Sequence, residues 1–273
     1  MKPIISIIIP TWNTCQITLK CLKSIKKYLP KNFSQIIIID NNSTDDTYQV
    51  FSKLSDIIYI RNSANLGFSR ANNIGAAQAT ADYLLFLNSD MELIDDSLTK
   101  LVNYYQSHQQ TGLVGPKFLN PDLTPQGSVT PPQTPLNAFR QFWLGQHTYS
   151  KYTPNGHHPI DVANISGGAI LISRDIFIKV NGWDERYFFY FEDLELCRQI
   201  HKLGKSIIYY PDCRLIHHHG ASGVTITDPL NQWRRQIPGS KIYHGLFEHY
   251  LIFFITWTSQ RLFRRYSATK SQY

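Results

Sequence analysis

Residues 5–40 read ISIIIPTWNTCQITLKCLKSIKKYLPKNFSQIIIID, with an isoleucine-rich run at each end. Short β-branched runs of this kind are typical of buried strands. Between them, Leu19, Leu22 and Ile25 recur at helical spacing and predict a helix over residues 14–28. Strand, helix and strand together make a βαβ unit, which predicts a parallel sheet that is covered on both faces.

The same alternation continues to about residue 118, with a second helix predicted after the polar cap at 41–47. Residues 120–160 are rich in Pro, Gln, Thr and Gly without clear periodicity, and they predict a long loop, which in a compact domain usually has a function. Two helical segments around an aromatic bend are predicted within residues 174–204. The other predicted strands are 57–61, 82–90, 112–118, 165–173 and 205–220, and the other predicted helices are 67–79, 97–109 and 240–266.

The composition narrows the class of protein. A formal net charge of +7 favours anionic partners such as phosphates, nucleic acid or a membrane surface, without choosing among them. Cys15, Cys21, Cys197 and Cys213 form no CxxC pair, which argues against a zinc ribbon or a disulfide framework and favours reduced thiols. Residues 1–13 lack a small-residue cleavage site and favour a buried strand over a signal peptide.

The C-terminal region combines an apolar aromatic run, residues 250–258, with arginine pairs at 234–235 and 264–265. The run has about half of the ~20 residues that a bilayer-spanning helix needs. Two interpretations stay open: an amphipathic segment that lies at a membrane interface, or a helix that packs on the core of the protein.

Polar residues follow the first four predicted strands, at 10–13, 40–46, 61–73 and 88–90. Because ligands bind beyond the carboxyl ends of parallel strands, these residues are candidates for one common site. A dinucleotide-binding domain requires G-x-G-x-x-G directly after its first strand, and PTWN at residues 10–13 has no glycine. The sequence therefore argues against a dehydrogenase.

An ordered set of motifs carries a resemblance that covers nearly the whole chain. The motifs are SIIIPTWN (6–13), IIIDNNSTDDT (37–47), NLGFSRANNIG (65–75), LLFLNSD (84–90), ISGGAILISR (165–174), GWDERYFFYFEDLELCRQ (182–199) and LIHHHGAS (215–222). In this order they resemble the family 2 glycosyltransferases of the GT-A fold, in the rhamnosyltransferase-like branch. The resemblance implies an α/β domain at residues 1–239, with a mostly parallel central sheet and helices on both faces, and a basic, aromatic helical tail at 240–273.

The resemblance implies that the polar loops bind a nucleoside diphosphate sugar, with UDP or dTDP expected rather than GDP. Asp40 would accept a hydrogen bond from a pyrimidine N3–H, although an aspartate at a strand end also forms Asx-type turns. Gly67 would let the backbone come close to the donor, while Asn72 and Asn73 are open to interpretation as ordinary helix residues. The implied donor-binding residues are Thr11, Asn13, Asp40, Arg61, Asn65, Gly67, Asn88 and Ser89.

Residues 88–90, NSD, match the D-x-D motif with which this family holds Mg²⁺ or Mn²⁺ against the donor phosphates. Hard divalent cations prefer oxygen ligands, and Asn88 is neutral, so Asp90 is the carboxylate ligand that the motif supplies. The family often adds a histidine late in the domain. The spacing of LIHHHGAS resembles that pattern with His217 as the ligand, while the two histidines after it also fit a surface run without function.

Glu192 and Asp193 open a predicted helix within YFFYFEDLELCRQ, residues 187–199. A helix N-terminus favours negative charge, so both carboxylates are open to interpretation as capping residues. The resemblance implies instead that Asp193 is the general base for the acceptor hydroxyl and that Glu192 orients the acceptor. It also implies acceptor contacts by Trp183 and Tyr190, among phenylalanines that are equally typical of a core.

The expected activity is inverting, metal-dependent transfer of a hexose or deoxyhexose to a hydroxyl of a saccharide or lipid-linked saccharide. NQWRRQ at residues 231–236 does not match the Q-x-x-R-W motif of processive synthases, which favours single addition. We expect a cytoplasmic protein, peripheral on the inner face of the membrane through its tail, with no nucleic-acid partner. Two alternatives stay open: a non-catalytic carbohydrate-binding or scaffold protein on the same fold, and a nucleotidyltransferase, against which the missing glycine-rich basic loop argues.

Overall fold

The computed structural model describes residues 2–218 and 233–263, in which short strands alternate with helices. The strands are β1 (Ile5–Thr11), β2 (Ser34–Asp40), β3 (Ile58–Arg61), β4 (Tyr83–Leu87), β5 (Met91–Leu93), β6 (Thr111–Leu119), β7 (Pro125–Gln126), β8 (Val129–Thr130), β9 (Ile160–Asp161), β10 (Asn164–Ile165), β11 (Ala169–Ser173) and β12 (Ser206–His217). The helices are α1 (Cys15–Tyr28), α2 (Thr47–Phe51), α3 (Phe68–Ala77), α4 (Ser97–Ser107), α5 (Pro135–Leu144), α6 (Arg174–Lys179), α7 (Glu192–Lys202) and α8 (Gln236–Phe263).

One mixed sheet forms the centre of the molecule. β3, β2, β1 and β4 lie side by side and parallel, as the βαβ pattern predicts. β11 runs antiparallel between β4 and β6, β12 is parallel to β6, and β5 pairs antiparallel with β12 at the far edge. The predicted mostly parallel sheet is therefore confirmed, with one antiparallel strand inserted at its centre.

Apolar clusters cover both faces of this sheet. Ile7 and Ile9 of β1 face the side that α1 and α4 cover, whereas Ile8 faces the side of α3, α6 and α7. Successive side chains of a strand point to opposite faces, so a strand buried on both sides needs an unbroken apolar run. The uninterrupted isoleucines of β1 and β2 therefore reflect burial on both faces.

The sequence predicts a loop over residues 120–160, and this prediction is wrong for Pro135–Leu144, which forms α5. The Thr134 hydroxyl accepts a hydrogen bond from the Asn137 N–H, Pro135 lies in the first turn, and Gly145, with φ of 71°, follows the last turn. A hydroxyl cap, an early proline and a terminal glycine are recognised helix signals. The helix was therefore visible in the sequence TPLNAFRQFWLG, residues 134–145.

The predicted tail helix forms as α8, which is kinked at Gly245, where φ is 72°. It begins at Gln236, so it crosses the expected division at residues 239 and 240, and a division into two domains stays a prediction. Its second half packs against α5, with the Trp143 Nε1–H donating to the Ile255 carbonyl at 3.1 Å. Within the two described ranges, no helix combines the length and apolar character needed to cross a bilayer.

Strand register brings the polar loops together at one edge. Thr11 pairs with Asp40 and Asp40 with Arg61, so the last residues of β1, β2 and β3 form a row. On the far side of β4, His217 at the end of β12 pairs with Met91, which directly follows Asp90. The carboxyl ends of these strands therefore surround one region.

Candidate active site

Asp40 lies beneath the loops at this edge. Its carboxylate is 0% exposed and accepts hydrogen bonds from the Ser43 N–H at 2.8 Å and the Tyr59 hydroxyl at 2.6 Å. These contacts fit the interpretation of Asp40 as a turn-forming residue, and burial together with the Asp40 carboxylate raises the pKa of Tyr59. A direct bond from Asp40 to a nucleoside base stays a prediction.

The loop after β1 (the first loop) is joined by hydrogen bonds to the loop after β2 (the second loop) and to the end of β4. The Thr11 hydroxyl lies 2.9 Å from that of Thr14, and the Thr14 hydroxyl lies 3.3 Å from that of Ser89. Asn13 has a positive φ of 53°, and its side-chain oxygen accepts a hydrogen bond from the Thr44 N–H at 2.7 Å. The buried Thr11 and Ser89 are thus linked through Thr14, while Asn13, nearer the surface, joins the first loop to the second.

The end of β3 and the loop after it (the third loop) carry Arg61, Asn65 and Gly67. Arg61 crosses the second loop, where its Nη2–H donates to the Ser43 carbonyl at 3.0 Å, and the Asn65 Oδ1 accepts from the Gly67 N–H at 3.0 Å. Gly67 has φ of +83°, and a Cβ there would lie 2.5 Å from the Phe188 carbonyl oxygen. Gly67 therefore lies very close to the Phe188 backbone, and its contact with a donor stays a prediction.

Asn41 is a residue of this site that the sequence analysis missed. It is buried, its Nδ2–H donates to the Gly67 carbonyl at 3.2 Å, and its Oδ1 accepts from the Asn62 Nδ2–H at 2.8 Å. Asn41 therefore ties the second loop to the third. The sequence offered a signal, a run of polar residues directly after a buried strand, but no means of choosing among them.

Asp90 and His217 face each other across the ends of β4 and β12. The His217 Nε2 lies 3.4 Å from the Asp90 Oδ1, and both side chains are largely buried. The His217 Nδ1 lies 2.6 Å from the Gln126 Oε1, while the Gln126 Nε2–H donates to the Asn120 Oδ1 at 2.8 Å. The same Gln126 amide also donates to the His217 carbonyl at 3.3 Å.

These partners fix the roles of the imidazole nitrogens. A carbonyl oxygen only accepts hydrogen bonds, so the Gln126 amide nitrogen faces the His217 backbone and its oxygen faces Nδ1. Nδ1 therefore carries the proton, and Nε2 is directed towards the Asp90 carboxylate. A histidine held in this way by a second polar group is typical of metal ligands. No local pattern in the sequence singled out Gln126.

An imidazole nitrogen and a carboxylate oxygen are compatible with Mn²⁺ or Mg²⁺ as part of a ligand set to which further oxygen atoms would have to be added. In the described part of the chain, no cluster of three or more His, Cys, Asp or Glu could hold an ion by itself. Asp90 and His217 are thus suited to an ion that is bound together with a substrate.

The next histidine belongs to a different group. The His218 Nε2 lies 2.8 Å from the Glu92 Oε2, and Lys20 Nζ lies 2.9 Å from the same oxygen. Burial opposes ionisation of Glu92, but hydrogen bonds from Lys20 and His218 hold the pKa of this carboxyl below its usual value. His219 lies outside the described residues, so of the two described histidines it is His217 that faces Asp90.

Two adjacent glycines connect the loop that carries Asp90 to the Glu192–Asp193 pair. The Asn88 N–H donates to the Gly168 carbonyl at 2.9 Å, and the Gly167 N–H donates to the Asp193 Oδ2 at 3.0 Å. The other oxygen, Asp193 Oδ1, accepts from the Leu194 N–H at 2.9 Å in the first turn of α7. Asp193 therefore does stabilise the helix N-terminus, as the capping interpretation requires, but it is also held against the glycine pair.

Glu192 differs sharply from its neighbour. It is buried, and its Oε2 has no hydrogen-bond partner among the described residues. Burial and the adjacent Asp193 charge raise the pKa of Glu192 to about 8. The raised pKa favours the protonated form of Glu192, which can donate a hydrogen bond, whereas the half-buried Asp193 accepts hydrogen bonds from Gly167 and Leu194.

This difference predicts how stability depends on pH. A raised folded-state pKa means that the stabilisation from Glu192 is fully present below about pH 4.5 and is lost as the pH rises towards 8. Compared with Glu192→Gln, which does not titrate, the wild type should lose free energy of unfolding over that range. Urea denaturation of both proteins at several pH values measures this, and parallel pH profiles would show that Glu192 ionises normally.

The two predicted acceptor residues are placed differently. Trp183 is 1% exposed and packs edge-on against Phe68 and Phe86, with ring centroids 5.3 and 5.1 Å apart. Its ring thus packs in the core, and its contact with an acceptor stays a prediction. Tyr190 is half-buried with φ of 73°, burial is the main cause of the raised pKa of its hydroxyl, and it stays a candidate for the acceptor side.

Lys151, which the sequence analysis did not single out, also lies close enough to Glu192 to interact with its charge. Its Nζ donates to the Ser166 Oγ at 3.1 Å, directly before the glycine pair, and its charge opposes the rise in the Glu192 pKa. Lys151 lies in the stretch 120–160 that was expected to have a function, but a single lysine in a polar segment gives no sequence signal.

Residues 6–180 match the family model described as Glycosyl transferase family 2. The match covers more than half of the chain, which therefore belongs to Glycosyl transferase family 2. The fold and the family together define a glycosyltransferase of the GT-A type, and this confirms the prediction made from the ordered motifs.

Two relatives and one solved structure illustrate the likeness. The chain is 29% identical over 227 residues to the O-antigen biosynthesis protein RfbC of Myxococcus xanthus, covering 81% of this chain but 18% of that protein. It is 27% identical over 219 residues to the N-acetylglucosaminyl-diphospho-decaprenol L-rhamnosyltransferase of Mycobacterium tuberculosis, covering 72% of this chain and 69% of that protein. The crystal structure of GalNAc-T7 with UDP, GalNAc and Mn²⁺ superimposes with a TM-score of 0.62 at 17% identity, covering 79% of this chain and 44% of that chain.

These comparisons confirm the predicted fold and the similarity to the rhamnosyltransferase-like branch. At 17% identity the likeness to the GalNAc-T7 structure concerns the fold alone. The chain spans less than a fifth of RfbC, so its particular donor, acceptor and partners are matters of proposal. The roles of the individual site residues likewise stay predictions.

Proposed function

We propose that this chain catalyses metal-dependent, inverting, single transfer of a sugar from a nucleoside diphosphate sugar to a hydroxyl of a saccharide or lipid-linked saccharide. The observation that carries the proposal is the bridge at Gly167 and Gly168, which joins the loop of Asp90 to the carboxylate of Asp193. Asp90, which would act on the leaving diphosphate, and Asp193, which would accept the proton, are thereby connected through Gly167 and Gly168.

The donor is a UDP- or dTDP-sugar, for which a hexose or a deoxyhexose is compatible with the site. The name of the mycobacterial relative, an L-rhamnosyltransferase, supports a deoxyhexose, and its decaprenol-linked substrate supports a lipid-linked acceptor. Asn13 and Arg61, which are more exposed than the buried Thr11 and Asp40 beside them, form the surface on which the nucleoside would lie.

Asp90 and His217 would hold a divalent cation, Mn²⁺ or Mg²⁺, which when bound offsets the negative charge of the departing diphosphate. Gln126 supports this role because it keeps the proton on the His217 Nδ1. Asn88, which replaces the first carboxylate of the usual motif, is neutral and leaves the protein contribution to Asp90 and His217.

Asp193 would take the proton from the acceptor hydroxyl as its oxygen attacks the anomeric carbon. Its two backbone hydrogen bonds, from Gly167 and Leu194, hold the carboxylate in place. A general base must lie within hydrogen-bond reach of the proton that it removes, which requires such positioning. Glu192, as a neutral acid, would donate a hydrogen bond that orients the acceptor.

The proposed location in the cell follows from the proposed lipid-linked acceptor. A lipid-linked saccharide is met at a membrane surface, and contact of the C-terminal helix with that surface is part of the proposal. All four cysteines are buried free thiols, which supports a reducing compartment such as the cytoplasm on the inner side of the membrane.

A thermal-shift screen of UDP-, dTDP- and GDP-sugars, each with and without Mn²⁺, tests the donor part of the proposal. A ligand that binds only the folded state raises the melting temperature, so a UDP- or dTDP-sugar with Mn²⁺ should give the largest rise. Binding without any turnover of donor would favour the non-catalytic alternative. No response to any nucleotide sugar would refute the donor site.

A further inference from the structure

Two packed helices, α5 and α8, expose apolar side chains to solvent. We call these side chains together the α5–α8 surface. Its members are Leu136, Phe139, Leu144, Leu246, Phe247, Tyr250, Leu251, Phe253, Phe254, Trp257 and Leu262. Scattered exposed apolar residues are normal, but a set concentrated on two helices indicates an interaction site.

The two helices are held together by specific contacts. The Trp143 Nε1–H donates to the Ile255 carbonyl at 3.1 Å, and the Ser259 hydroxyl donates to the Phe142 carbonyl. Ser259 is 1% exposed, so this contact is part of a sealed helix–helix interface. The exposed side chains of α5 are therefore carried on the same rigid unit as those of α8.

The second half of α8 has the reverse of the pattern expected for a helix that faces water. Leu246, Tyr250, Phe253 and Trp257 follow one another at spacings of four, three and four residues, which places them on one face. This face is exposed, and beside it Phe247 is 81% exposed. The buried side includes Ile252 together with the polar residues His249 and Ser259. Packing on the core therefore explains the buried side of this helix but not its exposed apolar face.

Charge distinguishes among possible partners. Glu248 is the only acidic residue in the sequences of α5 and α8, and it lies outside the apolar face, near His244. Arg261 lies over the Trp257 ring and Lys241 over the Tyr250 ring, each at 5.3 Å from the centroid. Aromatic rings next to cationic side chains are typical of membrane interfaces, where the cations meet anionic headgroups.

We propose that the α5–α8 surface docks on a lipid bilayer that contains anionic headgroups, with its aromatic side chains in the interfacial layer. A second copy of the chain is a poorer occupant, because pairing this surface with itself brings cations against cations and supplies almost no carboxylate to offset them. α8 lies on the bilayer and does not cross it, in keeping with its short apolar run.

The surface is connected to the proposed catalytic residues through the first half of α8. The Arg198 Nη1–H of α7 donates to the Tyr243 carbonyl at 3.0 Å, and its guanidinium lies 4.3 Å from the centre of the Tyr243 ring. Phe191, at the start of α7, also contacts Tyr243. Docking therefore fixes the start of α7 relative to the headgroups, and this point alone rests on the proposed use of a lipid-linked acceptor.

Sedimentation of the full chain with vesicles tests the inference, using phosphatidylcholine alone or mixed with phosphatidylglycerol. Binding should require phosphatidylglycerol and weaken with salt, because exposed charges are screened over about 8 Å at physiological ionic strength. Leu136→Ser with Phe139→Ser on α5, and Phe247→Ser with Phe254→Ser on α8, should each weaken binding by about tenfold or more, since each removes apolar area from the interface. Ile178→Ser with Leu203→Ser, two exposed residues elsewhere, is the matched control and should bind normally.

Three results would overturn the inference: no binding to mixed vesicles at low salt, unchanged binding of the α5 variant, or a dimer in sedimentation equilibrium that the same substitutions dissociate. Every variant is also tested for stabilisation by nucleotide sugar. A retained response shows that the variant is folded with an intact donor site, so loss of lipid binding and failure of the proposed transferase activity are separate outcomes.

Discussion

Asp193→Asn is expected to slow sugar transfer by roughly 10²- to 10⁴-fold, the usual contribution of general acid–base catalysis. The substituted amide has nearly the same size, and its oxygen can still accept the Gly167 N–H that the carboxylate accepts in the wild type. It cannot take a proton. The loss should therefore appear in kcat and not in the donor Kd, because the group acts only when the acceptor hydroxyl attacks.

Kinetics with saturating acceptor, together with calorimetric titration of the donor, separates these two quantities. Asp175→Asn is a suitable control, since Asp175 also lies in the first turn of a helix, α6. It should leave turnover unchanged. If Asp193→Asn kept near-normal turnover and lost only stability, Asp193 would be a capping residue and the base would have to be another group.

The second large effect is expected at Asp90. In the wild type, donor affinity should depend on a divalent cation, and Asp90→Ala should remove this dependence because it deletes the carboxylate that faces His217. Calorimetry of donor binding with Mn²⁺ and with a chelator measures it. Equal donor affinity of the unmodified protein under both conditions would contradict the metal site.

Gln126 allows a finer version of the same test. Gln126→Leu keeps both proposed ligands but removes the hydrogen bond that fixes the His217 tautomer, and loss of such a partner typically costs roughly 10- to 100-fold in metal affinity. Gln106→Leu, on the exposed side of α4, should have no effect. Asn88→Asp should instead tighten metal binding, because it restores a carboxylate to the motif.

Much of the fold could be predicted from the sequence because its periodicities are strong. The short, β-branched isoleucine runs of β1 and β2 are typical of strands buried on both faces, and the order of the motifs along the chain identified the family. Helix α5 was missed although Thr134, Pro135 and Gly145 marked its ends, because the polar composition around it dominated the interpretation.

The site was less predictable because roles depend on which atoms face one another. Asp40 and Gly67 have the residue types that the family uses, but their partners here are Tyr59 and the Phe188 backbone. Trp183 lies in a motif that also contains surface residues, and sequence cannot show that its own ring is enclosed.

Gln126 and Lys151 illustrate a second limit. They reach the site from the segment between β6 and β11, far in sequence from His217 and Glu192. Nothing local to either residue distinguishes it from other polar residues of that segment. Contacts of this kind follow from tertiary packing and not from a pattern in the chain.

The anomeric configuration of the product tests the central claim most directly. Direct attack by a hydroxyl that Asp193 deprotonates, on the face opposite the departing diphosphate, gives a glycosidic bond of configuration opposite to that of the donor. Proton NMR of the product formed from a nucleoside diphosphate sugar and a lipid-linked or soluble saccharide should therefore show inversion. A product with the configuration of the donor would contradict single displacement with Asp193 as the base.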